Sequence, residues 1–182
     1  FLIDAAHDID ERSADTLFVS FGGGDQQGIV AKLLPVLRDF GHIAPVELVV
    51  GPGYAGIPNA GPVRVLSDLS PANFARHLRR ARMALTASGN TLFERVFHGV
   101  PGVTLAQSPH QDTIGRAFAG MGVAEHLGLG STLDVDMLRQ SLHRIWQDEA
   151  ALDAQKKAAM SVNIRNGCAE ILDALHALMR RA

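Results

Sequence analysis

The chain has one cysteine, one tryptophan and one tyrosine in 182 residues, and aromatic residues make up only 5% of it. A lone cysteine, Cys168, excludes an internal disulfide. Its neighbours Asn166-Gly167 and Ala169-Glu170 offer no partner for nucleophilic chemistry, so it reads as a packed thiol, and a cytoplasmic location is expected. No apolar run approaches the length that spans a bilayer, and Phe1-Leu2-Ile3 is too short for a signal peptide and lacks its basic leader. Charge of one sign is scarce as well: 17 Lys and Arg stand against 19 Asp and Glu, a formal net charge of −2. The basic residues are scattered apart from Arg79-Arg80-Ala81-Arg82 and Arg180-Arg181, which read as solvated helix ends. Without a concentrated basic face, nucleic acid is not expected as a partner.

Several chemical signatures are also missing. The eight histidines form no HExxH or other close ligand pair, so no metal site is expected, and no cofactor. Gly22 and Gly24 fit the first two glycines of GxGxxG, but the third place falls on Gln27, and the second strand ends Val49-Val50-Gly51 with no acid to hold a ribose. NAD is therefore not expected. A P-loop would need a lysine that nothing here supplies. The serine-hydrolase elbow is absent, because Ser88 has no glycine two places before it.

What is present is an ordinary globular composition, 47% hydrophobic and 20% charged, at a length that suits one core. Residues 1–15 read as a lead-in or linker, and a start at Phe1 rather than Met fits an excised piece of a longer protein. One domain over 16–182 is expected. Leu17 to Phe21 is a short apolar run before glycines, as a buried strand should be. A helix from about Gln27 to Phe40 follows, with Ile29, Leu33, Leu34 and Leu37 on its apolar face, a bend expected at Pro35 and an end at Gly41.

Strands at Val46–Val50 and Val63–Leu66 flank a glycine- and proline-rich loop holding Tyr54. Ser70-Pro71 starts a helix to about Arg80. Strands at Met83–Thr86 and Val103–Leu105, a helix over Gln111–Met121 and a short strand near Val123-Ala124 come next. Past Thr132 the chain reads as helical: Val135–Gln147, Glu149–Val162 and Gly167–Arg181. Strands alternating with helices imply an α/β fold, a Rossmann-like parallel sheet with helices on both faces and a helical C-terminal third. Ligands in such sheets bind beyond the carboxyl ends of the strands, where Gly22 to Gln26, Ala87 to Thr91 and Gln107 to Gln111 form polar or glycine-bearing loops.

The segment Met83 to Gln111 organises the rest. Ser88-Gly89-Asn90-Thr91 would put small residues and free backbone amides at a helix N-terminus, which favours phosphate. If Leu92, Phe93, Val96 and Phe97 form the buried stripe of that helix, Glu94 and His98 fall on the opposite side. A carboxylate there can accept both hydroxyls of a ribose, although acidic residues are common in first helical turns. A nucleotide site is expected, its base undetermined.

These residues carry a resemblance. Leu17-Phe18-Val19-Ser20-Phe21-Gly22-Gly23-Gly24-Asp25, then Ser88-Gly89-Asn90-Thr91-Leu92-Phe93-Glu94, Gly99-Val100-Pro101, His110-Gln111 and Asn166-Gly167, resemble the C-terminal domain of GT-B-fold nucleotide-sugar enzymes. The group is that of family 28 glycosyltransferases, the UDP-sugar hydrolase of pseudaminic acid synthesis and spore-coat polysaccharide proteins. The resemblance implies that Gly22, Gly23 and Gly24 approach the diphosphate or domain cleft, and that Ser88, Gly89 and Thr91 hold phosphate through backbone amides and hydroxyls, with Asn90 in the same loop. It further implies that Glu94 takes the ribose hydroxyls, that Leu66 to Leu69 contact the base largely through backbone groups, and that Gln111, with His110 as a second candidate, reaches the sugar. Asn90 stands where the group has a small residue, and His110 where it often has asparagine.

The ligand implied is a nucleotide-diphosphate sugar, with UDP favoured through the family, and the chain would be the donor half of a glycosyltransferase or UDP-sugar hydrolase. Acceptor site and catalytic base would belong to a missing N-terminal domain or partner subunit, so no catalytic residue is assigned. A non-catalytic nucleotide-sugar binding or partner-docking module, and part of a nucleotide-sugar epimerase, are the alternatives.

Overall fold

The computed structural model describes residues 15–24, 28–54, 59–164 and 168–180, with the backbone alone for 168–170. The lead-in to residue 14, Asp25 to Gln27, Asn166-Gly167 and the side chain of Cys168 lie outside the described residues.

Strands β1 (Leu17–Ser20), β2 (Val46–Val50), β3 (Val63–Ser67), β4 (Met83–Ala87), β5 (Gly102–Ala106) and β6 (Glu125–Leu129) form one sheet in the order β3-β2-β1-β4-β5-β6. Every pairing is parallel. β1, β4 and β5 are buried along their whole length, as expected of strands covered on both faces. The order reverses between β1 and β4. Their carboxyl ends therefore open a crevice that neither flanking crossover fills.

Helices α1 (Ile29–Phe40), α2 (Pro71–Arg80), α3 (Asn90–Phe97), α4 (Pro109–Gly120), α5 (Val135–Gln147), α6 (Glu149–Ser161) and α7 (Cys168–Met179) cover the sheet. Alternation along the strands divides the core. Leu17, Val19, Leu48, Leu85 and Val103 meet the apolar faces of α1 and α5, while Phe18, Val49 and Ala84 meet Leu78 of α2. Leu92 and Val96 of α3 pack with Phe118 of α4 on that second side.

Local chemistry explains most boundaries. Ser70 caps α2, its hydroxyl accepting from Asn73 N, with Pro71 in the first turn. Ser108 caps α4 through Gln111 N, followed by Pro109. Pro35 sits within α1, exposed, and the helix runs on to Phe40 and ends at Gly41.

Two expectations are corrected. The last strand is Glu125–Leu129 rather than Val123-Ala124. Val123 and Ala124 are instead buried against α3 and α4, and the strand has no clean apolar alternation to announce it. The buried face of α3 is Thr91, Leu92, Arg95 and Val96, with Phe93 and Phe97 half-buried. Phe93 turns edge-on to Phe118 at 5.2 Å, and Arg95 takes the interior place expected of an apolar residue.

Candidate functional site

Two adjoining cavities occupy the crevice at the switch point. One, about 350 Å³, is lined by residues that include Gly22, Gly23, Asp68, Leu69, Phe74 and Glu94. The other, about 530 Å³, includes Phe21, Gly89, Phe93, Gln107, His110 and Gln111. Gly22, Asn90 and Thr91 border both. The N-terminus of α3 thus stands where the two cavities meet.

That terminus is open. Gly89 is the N-cap and provides no side-chain capping bond, and amides at the start of a helix have no intrahelical acceptor. Asn90 and Thr91 therefore present N–H groups and the positive end of the helix dipole to the crevice. Glu94 follows on the cavity wall, half-buried, and burial pushes its carboxyl above the ordinary range. Its wall is shared with Phe74, which packs edge-on against Phe18 at 5.3 Å.

The three loops expected on this side come together and bind one another. Gln107 Nε2 donates to Phe21 O at 3.0 Å and to Gly24 O at 3.5 Å, tying the glycine loop to the turn before α4. Gln107 N donates to Gln111 Oε1 at 2.9 Å. The Gln111 amide nitrogen faces Gly89, where a Cβ would lie 3.1 Å from it. Gln111 thereby spans the gap between the two loops.

The expected site residues are placed as follows. Gly22, with φ of 81°, and Gly23 line the first cavity, whereas Gly24 is on neither wall and packs near Gly53. Asn90, Thr91 and Glu94 are on the walls, as are His110, which is exposed, and Gln111. Ser88 lies beneath the loop, fully buried. Its amide donates to Leu105 O at 3.0 Å and its hydroxyl faces the same carbonyl at 3.3 Å, so neither group points at the crevice. Leu66 packs beside Leu69 and Phe74 against the core, and it is Asp68 and Leu69 that reach the wall. Asp68 holds the turn there with φ of 55°, a conformation aspartate tolerates better than most residues.

Sequence reasoning missed the floor of the first cavity. Gly51 and Pro52 line it, and Gly51 and Gly53 pack backbone to backbone on the glycine loop, with Gly53 N donating to Gly23 O at 2.9 Å. A Cβ at Gly51 would come within 2.4 Å of Gly23 Cα. The glycine spacing in this loop was the available signal. Among the described residues lining the two cavities there is no lysine or arginine. Among the described residues no cluster of three or more His, Cys, Asp or Glu side chains could hold a metal ion.

Comparison with known proteins agrees with this fold. Solved glycosyltransferases match the chain over most of its length. The MurG structure from Acinetobacter baumannii superimposes with a TM-score of 0.68 at 18% identity, covering 92% of this chain and 50% of its own. The fold is that of one half of a GT-B structure. Os79 from O. sativa, solved in complex with UDP, matches with a TM-score of 0.64 at 18% identity over 84% of this chain and 36% of its own. Among curated proteins, the spore coat polysaccharide biosynthesis protein SpsG of Bacillus subtilis (strain 168) is 27% identical over 143 residues. That alignment takes in 74% of this chain and 42% of SpsG. The chain thus spans half or less of the length of these proteins. No family model matches it.

Proposed function

We propose that this GT-B half-domain binds a nucleotide-diphosphate sugar, with UDP the nucleotide, as the donor half of a glycosyltransferase or nucleotide-sugar hydrolase. The observation that carries the reading is the position of the α3 N-terminus between two cavities of unequal character. A diphosphate at that point meets the amides of Asn90 and Thr91. The nucleoside then extends toward Phe74, Leu69 and Glu94, with the ribose on the carboxylate. The sugar extends the other way, toward His110 and Gln111.

The chemistry available to this chain is electrostatic. Backbone amides and a helix dipole stabilise negative charge as it gathers on the departing diphosphate. With no lysine or arginine on the described walls, further neutralising charge, the acceptor site and the base that activates an acceptor hydroxyl or water fall to another half. Helix α7 supports this division of labour: Ile171, Leu172, Leu175, Leu178 and Met179 are all at least 50% exposed, an apolar face that none of the described residues covers. The neighbours' longer chains point the same way.

Calorimetric titration of the chain with UDP, UDP-N-acetylglucosamine, GDP and NAD in parallel tests the reading. Binding of the two uridine compounds, with little or no sugar transfer or hydrolysis by the isolated chain, is the expected result. Binding of NAD in their place, or full turnover without another half, would overturn it.

A further inference from the structure

Beneath the α3 N-terminus lies a buried polar cluster that neither cavity uses. His126, on β6, has a side chain only 3% exposed. Its Nε2 is 2.9 Å from Asp112 Oδ1 on α4. Its Nδ1 is 3.0 Å from Thr104 Oγ1 on β5 and 3.5 Å from Ser88 Oγ at the end of β4. The ring has a seat built for it: a Cβ on Gly115 of α4 would come within 2.4 Å of both Cε1 and Nδ1. Only a glycine in that helix lets the imidazole lie between α4 and the sheet.

The tautomer follows from the partners. The Asp112 carboxylate only accepts, so Nε2 carries a proton and donates to it, and in that tautomer Nδ1 accepts from a hydroxyl. Arg116 Nε donates to Asp112 Oδ2 at 2.8 Å, and the Arg116 and His126 bonds together hold the Asp112 carboxyl below its ordinary range. Each hydroxyl also has a carbonyl within reach, Leu105 O for Ser88 at 3.3 Å and Glu125 O for Thr104 at 3.4 Å. One hydroxyl can therefore turn to its carbonyl while the other stays on Nδ1.

The cluster grips both walls of the crevice from below. Ser88 immediately precedes Gly89 and the open α3 amides, and Asp112 immediately follows Gln111. We infer that His126 is a positioning residue: through Ser88 and Asp112 it sets the spacing between the phosphate-facing amides of α3 and the Gln111 side chain, across which the diphosphate-sugar lies. This rests on the donor-site reading above. His126 touches neither cavity in the structure, and its effect is on geometry alone.

The test pairs binding with spectroscopy. His126→Asn, which retains a polar group toward Ser88 and Thr104 but cannot reach Asp112, is expected to weaken UDP binding by about tenfold, a typical coupling between neighbouring sites. Uridine, which lacks the phosphates, should bind as it does to the native chain. Asp112→Ala should show the same split, and Asp112→Asn, which still offers an oxygen to Nε2–H, should recover most of the loss. In amide NMR spectra the Gly89 backbone and Gln111 side-chain signals should move in His126→Asn. Unchanged UDP affinity in His126→Asn, equal losses for uridine and UDP, or binding by Asp112→Asn as weak as by Asp112→Ala would overturn the inference. If the native chain binds neither UDP nor uridine, the donor-site reading fails, and the spectra still decide: static Gly89 and Gln111 signals overturn the coupling, and moving ones sustain it.

Discussion

Glu94 is held by burial in a state that favours its neutral form. Ribose hydroxyls donating to it favour the ionised form, so uridine affinity should rise with pH as Glu94 titrates through its raised range. Titration by calorimetry with uridine, whose phosphates cannot confuse the result, checks this, and Glu94→Gln should abolish the slope. Stability runs the other way: a carboxyl raised on folding holds its proton longer in the native chain, so stability falls as pH climbs from the ordinary carboxylate value through the raised one.

Arg95 poses the opposite problem. Its side chain is fully buried, its Nε and Nη1 have no hydrogen-bond partner among the described residues, and burial pushes the guanidinium down to about 9. Its Nη2 reaches Val123 O only at 3.5 Å. Replacing such a charge by an apolar side chain of similar length removes its desolvation cost. Arg95→Met should therefore raise stability by about 1–2 kcal/mol, read as a higher melting temperature, with nucleotide binding unchanged.

At the scale of elements, the site depends on how two loops pack rather than on any one strand. The turn after β1 and the turn after β2 touch through backbone atoms at Gly23, Gly51 and Gly53. Gly51→Ala would drive a methyl group into Gly23, and since backbone lies on both sides the glycine loop must move. Such overpacking costs about 1–3 kcal/mol. The expected signature is a lower melting temperature together with weaker UDP binding. A drop in stability alone would mean that the glycine loop does not reach the diphosphate.

At the scale of the whole molecule, helix α7 carries an apolar face that the described residues leave exposed. Because Leu175 is 50% exposed and Leu178 64% exposed in this chain, Leu175→Ser should change its stability by no more than about 0.5 kcal/mol, the range of ordinary surface changes. In a chain that includes the other half, the same substitution should cost clearly more, by thermal melting, if that half covers α7. Equal effects in both would assign the face to something else.

Much of this protein was already legible along the chain. Short apolar runs ending in glycine mark β1 and β2, Ser70-Pro71 and Gly41 mark helix ends, and Ser88 to Glu94 marks a loop entering a helix. These are local matters of periodicity, capping and backbone freedom, and local residues decide them. The parallel α/β class follows from the alternation alone. Tertiary structure decided what depended on distant neighbours. It turned Ser88 inward onto Leu105, because the β4–β5 pairing claims its amide and its hydroxyl. It put Arg95 inside, set Gly51 against Gly23, and brought Asp112 to His126 across the face of Gly115. A side chain's burial and partners depend on which strand lies beside it, and strand order is set by packing the whole chain, which no local window contains.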